Sequence, residues 1–292
     1  MQIVSMKSML YTARANQYAV GQFNVNNLEF AQAFLQAAKE EDSPVILGIT
    51  EAAVRHMGGY SLITAMVKEL MKEYEIMVPV ALHLDHSSSM ESCVKAIHAG
   101  FTSVMIDGSH LSLPDNIAIT RRVVEVAKVM GVTVEAEIGR IAGEEDGVVV
   151  DASLGTYAAV KDCEQFIYET NVDCLAPALG SVHGQYKGEP RLRFDLLDEI
   201  VRLTGVPCAL HGGTGIPSQD IKKAITLGVS KINVNTENQM VYTAAMREAL
   251  SQDPAGYEVR NYARAAMDAI KASVKGKMRE FGSSGQAETK NI

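Results

Sequence analysis

Eight short, nearly continuous apolar runs alternate with amphipathic stretches along this 292-residue chain, and the alternation constrains its fold more than any other feature. The runs are residues 18–25 (YAVGQFNV), 44–50 (PVILGIT), 79–85 (PVALHLD), 103–109 (SVMIDGS), 133–139 (TVEAEIG), 174–180 (CLAPALG), 207–213 (PCALHGG) and 231–236 (KINVNT). Each is too brief for a helix and apolar on both faces, as strands of a parallel sheet covered on both sides are. Between them lie helical patterns such as LEFAQAFLQAAKEED, SLITAMVKELMKEY and NIAITRRVVEVAKVMG, several closed by a glycine (Gly100, Gly131, Gly205, Gly228). Eight strands, each followed by a helix, predict a (β/α)8 TIM barrel; a doubly wound open sheet is the rival, since spacing alone does not close a sheet. A prior of about 150 residues per domain would give two domains. The repeat instead assigns residues 1–281 to a single barrel domain with a C-terminal helix, and 282–292 to a polar, flexible tail.

Composition removes several function classes. With 47% apolar and 21% charged residues the chain has the material for a large core, which excludes disorder. No apolar stretch reaches the roughly 18 residues of a membrane span, and MQIVSMKSML lacks the apolar core of a secretory signal. Lys and Arg number 27 against 35 Asp and Glu, a net charge of −8, so neither nucleic acid nor an anionic membrane is expected as partner. Cys93, Cys163, Cys174 and Cys208 are far apart with no CxxC, which reads as reduced thiols in a cytoplasmic protein.

In a barrel the chemistry sits at the carboxyl ends of the strands. Those ends carry Asn24, Thr50, His83, Asp85, His86, Asp107, Glu135, Glu137, His183, His211, Asn233, Asn235 and Thr236. Apolar interiors do not tolerate uncompensated charge, so this concentration needs partners. A lone strand histidine is more often a hydrogen-bonded core residue than a ligand, by roughly three to one, and His83 is read that way. For His86, His183 and His211 together the odds reverse: three strand exits supplying imidazoles point to a metal, most simply zinc with an open position. By strand alternation His83 and Asp85 share a face while His86 points elsewhere. Asp107 and Glu137 read either as structural acids or as a second metal position. Glu144 and Glu145, in a long polar loop over 140–158, read on their own as solvated charge. A second polar loop covers 182–193. Loops of this length in a compact domain are more often functional than not.

Phosphate capture is the second theme. HGGTGIP (211–217) sets three glycines and a threonine between a strand and a helix start, where free N–H groups and the helix dipole attract an anion. NVNT (233–236) adds donors at the next strand end, and Gly184 and Lys187 complete the cradle from the loop before them. No strand end carries a lysine; Lys231 opens its run and is expected at the opposite pole, which disfavours a Schiff base. GxSxG and Walker A patterns are absent.

HLDH, VEAEIG with GEEDG, ALGSVHGQYKGEP, LHGGTGIP and KINVNTENQ, in this order and spacing, resemble the class II fructose-bisphosphate aldolases over nearly the whole chain, especially the shorter bacterial enzymes of the fructose- and tagatose-bisphosphate group. The resemblance implies a zinc-dependent lyase of glycolysis and gluconeogenesis that reversibly cleaves fructose 1,6-bisphosphate into dihydroxyacetone phosphate and glyceraldehyde 3-phosphate. It implies His86, His183 and His211 as zinc ligands, Asp107 and Glu137 as an alternative metal position, and Asp85 as the acid/base at the C4 hydroxyl. Glu145 would move the proton at C3. Gly184, Lys187, Gly212, Thr214, Asn233 and Thr236 would hold the first phosphate and Asn235 the triose hydroxyls, with Asn24 and Thr50 also substrate-binding. Carbonyls near Val182, Gly184 and Gly212 match a monovalent-cation site (K+ or Na+), and Arg260 matches an arginine that reaches the distal phosphate across the interface of a homodimer or homotetramer. Five positions depart from the common pattern: Ser87 in place of a glycine, Arg140 and Ala142 in the loop, and Glu258-Val259 in place of Asp-Pro. Arg140 is more like the tagatose-bisphosphate enzymes. Tagatose 1,6-bisphosphate and 6-phospho-5-dehydro-2-deoxygluconate are therefore alternative substrates, and a non-catalytic sugar-phosphate-binding protein is the alternative of another class.

Overall fold

In the computed structural model, which describes residues 3–145, 148–186 and 188–287, the apolar runs become parallel strands that close on themselves. The barrel strands are β1 (Val20–Asn24), β2 (Val45–Thr50), β3 (Val80–Ser87), β4 (Ser103–Ile106), β5 (Thr133–Ile138), β8 (Cys174–Pro177), β10 (Cys208–Leu210) and β11 (Val229–Val234). Hydrogen bonding runs β1-β11-β10-β8-β5-β4-β3-β2 and back to β1, which decides between barrel and open sheet. Three short strands lie outside it: β6 (Ala142–Glu145), β7 (Val148–Val150) and β9 (Val182–His183), a small sheet in the order β7-β6-β9. The helices are α1 (Met6–Ala15), α2 (Leu28–Glu40), α3 (Glu51–His56), α4 (Tyr60–Glu73), α5 (Met90–Ala99), α6 (Leu113–Val129), α7 (Val160–Thr170), α8 (Phe194–Thr204), α9 (Ser218–Thr226), α10 (Thr236–Gln252) and α11 (Val259–Glu280).

Local signals set the helix ends. Asn27, Thr50, Ser89 and Ser112 accept backbone N–H groups at the starts of α2, α3, α5 and α6, while Gly100 (φ 97) and Gly205 (φ 68) close α5 and α8 in the left-handed region. Strand alternation then sorts side chains into two cores. Phe23, Leu47, Leu82, Val104, Ile232 and Val234 point outward under the helices. Val20, Ile46, Ala81, Cys174, Ala176 and Ala209 point inward, where Met6, Met9, Leu10 and Ala13 of α1 plug the amino-terminal pole. Burying each of those Met and Leu side chains contributes about 1.5–3 kcal/mol. The plug closes the amino-terminal pole with apolar side chains.

Two expectations change. Lys231 is the third residue of β11 and turns into the barrel, fully buried, so its head rises toward the mouth instead of marking the far pole. The tail is not free over 282–287: Ser283 is buried and bonded to Ser43, and the amides of Gly285 and Ala287 donate to Glu41 and Asp42 at the end of α2. Residues 288–292 lie outside the described residues. Among the described residues, no helix is long and apolar enough to cross a membrane, and all four cysteines are free and buried.

Candidate active site and metal centre

The last turns of β3, β5, β10 and β11 deliver the mouth's polar layer. Regular alternation would send Asp85 inward and His86 outward. His86 instead has φ 46, and the register of β3 against β4 shifts between Leu84 and Ser87. A left-handed non-glycine backbone is strained by about 1–3 kcal/mol and persists where its surroundings impose it. Here it swings His86 back over the mouth, correcting the expectation that His86 points away from Asp85. Ser87 is buried behind the kink, donating to Ser89 O (3.0 Å) and accepting from Cys93 Sγ.

His86, His183 and His211 present ring nitrogens within 4.8 Å of one another, and so do the ligand atoms of His86, Asp107 and Glu137. Their tautomers follow from their partners. His211 Nε2 lies 2.8 Å from Glu135 Oε1, and His86 Nδ1 lies 2.9 Å from Asp107 Oδ2. An ionised carboxylate only accepts, so each imidazole donates its proton there. Burial pushes both acids up, but Lys231 and His211 hold Glu135, and His86 and the Ser109 amide hold Asp107, well below the usual carboxylate range. His86 Nε2 and His211 Nδ1 therefore meet at 2.9 Å with a lone pair each. Two lone pairs at that distance repel, and a cation shared between them relieves the conflict. Glu137 Oε2 adds to this: it is buried without a hydrogen-bond partner, 3.9 Å from His211 Nδ1. Burial, then the Asp107 charge, raises Glu137 well above the ordinary carboxylate value, as befits an acid awaiting a positive charge. These residues fit a divalent metal ion.

Asp85 sits beside this cluster, fully buried, accepting from Asn24 Nδ2 (2.7 Å) and Asn233 Nδ2 (3.5 Å). Burial raises its pKa, yet His86 and Lys231 outweigh that and keep it ionised. His83 is core: its Nδ1 bonds Ser103 Oγ at 2.7 Å, and burial with the Lys231 charge pushes its pKa down to about 4.

Two cavities flank the cluster. One, of about 320 Å³, is bounded by Thr50, Arg55, His86, Asp107, Glu137 and Arg140. The other, of about 980 Å³, is bounded by His183, Gly184, Asn235, Thr236 and other residues of β6 and α10. Gly212 (φ 65) and Gly184 (φ 85) need the left-handed region, and a Cβ on Gly212 would stand 2.2 Å from Val182 O. The Thr214 hydroxyl accepts the Glu237 amide (3.3 Å) in the first turn of α10, which Asn235 immediately precedes.

The structure thus gathers His86, His183, His211, Asp107, Glu137, Asp85, Asn24, Thr50 and Asn233 at one mouth, with Gly184, Gly212, Thr214, Asn235 and Thr236 beside it. Arg260 is not brought there within its own chain: it is exposed at the start of α11 and paired with Glu258 at 2.7 Å. Lys187 lies outside the described residues, and Glu145 is described only as a backbone position of β6 opposite Val148. Around Ala142, the left-handed positions among the described residues are Gly139 (φ 78) and Gly143 (φ 113), and a Cβ on Gly143 would fall 2.0 Å from His183 O. Sequence reasoning missed Lys231 and Tyr186. The Tyr186 hydroxyl ties Val182 N (3.2 Å) to Gly212 O (3.1 Å) and holds β9 against the glycine turn. The only sequence signal for Tyr186 was its place between two glycines of VHGQYKG.

A closed parallel barrel with imidazoles and acids gathered at its carboxyl-end mouth defines a class: barrel enzymes built for metal-assisted chemistry. The profile described as fructose-bisphosphate aldolase class-II matches residues 4–286. The chain belongs to that family, whose members are metal-dependent lyases of phosphorylated sugars. It is 58% identical over 287 residues to a fructose-bisphosphate aldolase of Geobacillus stearothermophilus, covering 98% of this chain and 99% of that one. It is 54% identical over 288 residues to a fructose-bisphosphate aldolase of Staphylococcus aureus (strain Mu50), covering 99% and 100%. The crystal structure of the YdjI aldolase of Escherichia coli K12 superposes with a TM-score of 0.85 at 30% identity, covering 98% of this chain and 100% of that one.

Proposed function

We propose that this chain is a zinc-dependent aldolase that reversibly cleaves fructose 1,6-bisphosphate into dihydroxyacetone phosphate and glyceraldehyde 3-phosphate. The observation that carries the reading is the facing pair His86 Nε2 and His211 Nδ1, both lone-pair bearing, with His183 beside them and the fully buried Asp85, bonded by two asparagine amides, next in the chain. Relatives at 54–58% identity named for this reaction support it.

His86, His183 and His211 hold the zinc, with Asp107 and Glu137 as an alternative position. Bound there, the metal supplies Lewis-acid stabilisation of the negative charge that develops on the ketose half. Asp85 takes the proton of the C4 hydroxyl, the C3–C4 bond breaks, its electron pair stays on C3, and the aldehyde leaves. Glu145 returns a proton to C3 from the 140–158 loop. Gly184, Lys187, Gly212, Thr214, Asn233 and Thr236 hold the first phosphate by backbone and side-chain donors, and Asn235 the triose hydroxyls. Asn24 and Thr50 bind the remaining substrate, Asn24 also steadying Asp85. Carbonyls of Val182, Gly184 and Gly212 offer a site for K+ or Na+. Arg260 serves the distal phosphate of a partner subunit's substrate, in a cytoplasmic homodimer or homotetramer. Its exposure suits that role.

Arg140 at the edge of the 320 Å³ cavity favours one second reading, cleavage of tagatose 1,6-bisphosphate. Steady-state kcat/KM on the two bisphosphates with zinc-loaded protein tests the choice. A preference for the fructose ester is expected; a strong tagatose preference overturns it.

A further inference from the structure

Lys231 is the one lysine buried inside the barrel among the described residues, and the reaction sequence above does not use it. Its flanking neighbours in register, Val20 on β1 and Ala209 on β10, are apolar, so the ammonium depends on what it meets higher in the barrel. There it donates to Glu135 Oε1 at 2.9 Å and to Asn233 Oδ1 at 2.7 Å. Both bonds carry direction upward. Glu135 Oε1 also accepts from His211 Nε2 at 2.8 Å. Asn233 must turn its oxygen to an ammonium that has no acceptor, which leaves its amide N–H groups for Asp85 Oδ1, 3.5 Å away, itself only an acceptor.

We propose that Lys231 is a positioning residue of the metal centre: it anchors the Glu135 carboxylate that fixes the His211 tautomer, and it sets the Asn233 amide that faces Asp85. With the proton of His211 committed to Glu135, Nδ1 keeps its lone pair toward His86 and His183. A carboxylate behind a ligating imidazole fixes the ring and raises its basicity. Here that carboxylate is itself held from below by an ammonium sealed from solvent. Glu135 Oε2 has no hydrogen-bond partner, and His83 Nε2 stands 3.8 Å from it. Glu135 is thus tethered through Oε1 alone, by Lys231 and His211, and removing Lys231 leaves the acid held only by the ring it is meant to orient. This inference rests on the reading of His211 as a ligand, and the measurements below separate the two.

The test uses the full chain and two variants, Lys231→Met, of similar length without donors, and Lys231→Gln, neutral but able to donate. Nitrogen-15 spectra of histidine side chains in metal-free protein report where each ring proton sits. Wild type is expected to show His211 protonated at Nε2, and Lys231→Met to lose that single tautomer. Zinc affinity, read by competition with a chromophoric chelator, is expected to fall about 10- to 100-fold in Lys231→Met. Lys231→Gln should restore the tautomer and much of the affinity. Lys231 as a mere charge balance for the core would lower the melting temperature and leave both readouts unchanged, which overturns the proposal. A wild-type His211 protonated at Nδ1 overturns it without any variant, which covers the case in which Lys231→Met does not fold. Failure of wild type to bind zinc overturns the metal reading instead, while the metal-free spectra still decide Lys231.

Discussion

Gly212→Ala tests how tightly the metal centre depends on the glycine turn behind it. Gly212 has φ 65, and a Cβ there would lie 2.2 Å from Val182 O and 2.8 Å from Val182 C. The left-handed backbone alone costs an alanine about 1–2 kcal/mol. The clash adds more, because its partner is backbone and no side-chain rotation relieves it. Restoring ordinary contact requires Val182 to retreat by about 1 Å, and Val182 precedes His183 on β9. A misplacement of about 1 Å in a reacting assembly costs roughly 100-fold in rate, or about 2.7 kcal/mol in the barrier. The assay is kcat and KM for aldol cleavage together with bound metal, measured beside Gly131→Ala. Gly131 has φ 68 at the end of α6 and nothing within 4 Å of an added Cβ. The control carries the same backbone strain and no clash, so it should lose stability and keep its activity. Gly212→Ala with kcat/KM and metal content equal to those of Gly131→Ala would show that the metal centre does not depend on this turn.

Asp85→Asn should keep metal binding, since the three imidazoles are untouched, and lose about 10²- to 10⁴-fold in kcat, checked by steady-state cleavage with metal analysis. His211→Ala should abolish stoichiometric zinc binding, as read by equilibrium dialysis, because it removes the ring that Glu135 orients toward His86. His83 has a folded pKa of about 4 against 6.5 unfolded. The unfolded chain therefore binds the extra proton between those values, and wild type loses about 3 kcal/mol relative to His83→Gln as pH falls from 6.5 to 4. Urea unfolding of both metal-free proteins across that range measures the difference, and equal slopes would count against it.

Much of the architecture was legible because its cause is local. Residues 44–50 became β2 at Val45–Thr50, and residues 133–139 became β5 at Thr133–Ile138, since a strand covered on both faces must be apolar on both. The mouth was legible for the converse reason: His86, Glu137 and His211 end such runs, where apolar character stops. What escaped depends on contacts distant in sequence. Lys231 and Glu135 are 96 residues apart, and only the phase of β11 within the closed barrel turns Lys231 toward the mouth. The kink at His86 is a single left-handed φ that no periodicity announces. The loops 140–158 and 182–193 hide the β7-β6-β9 sheet because strands of two to four residues leave no pattern. The polar sequence from Gly282 resembles a frayed end, yet Ser283 finds Ser43, 240 residues earlier.

On the function proposed here, a metal held by His86, His183 and His211 is needed for aldol cleavage. Stripping the protein with a chelator, then following cleavage of fructose 1,6-bisphosphate as zinc is returned, tests it most directly. The metal-free chain is expected to give no cleavage, with full recovery as zinc reaches one ion per chain. Full cleavage by protein shown to be free of metal would contradict it.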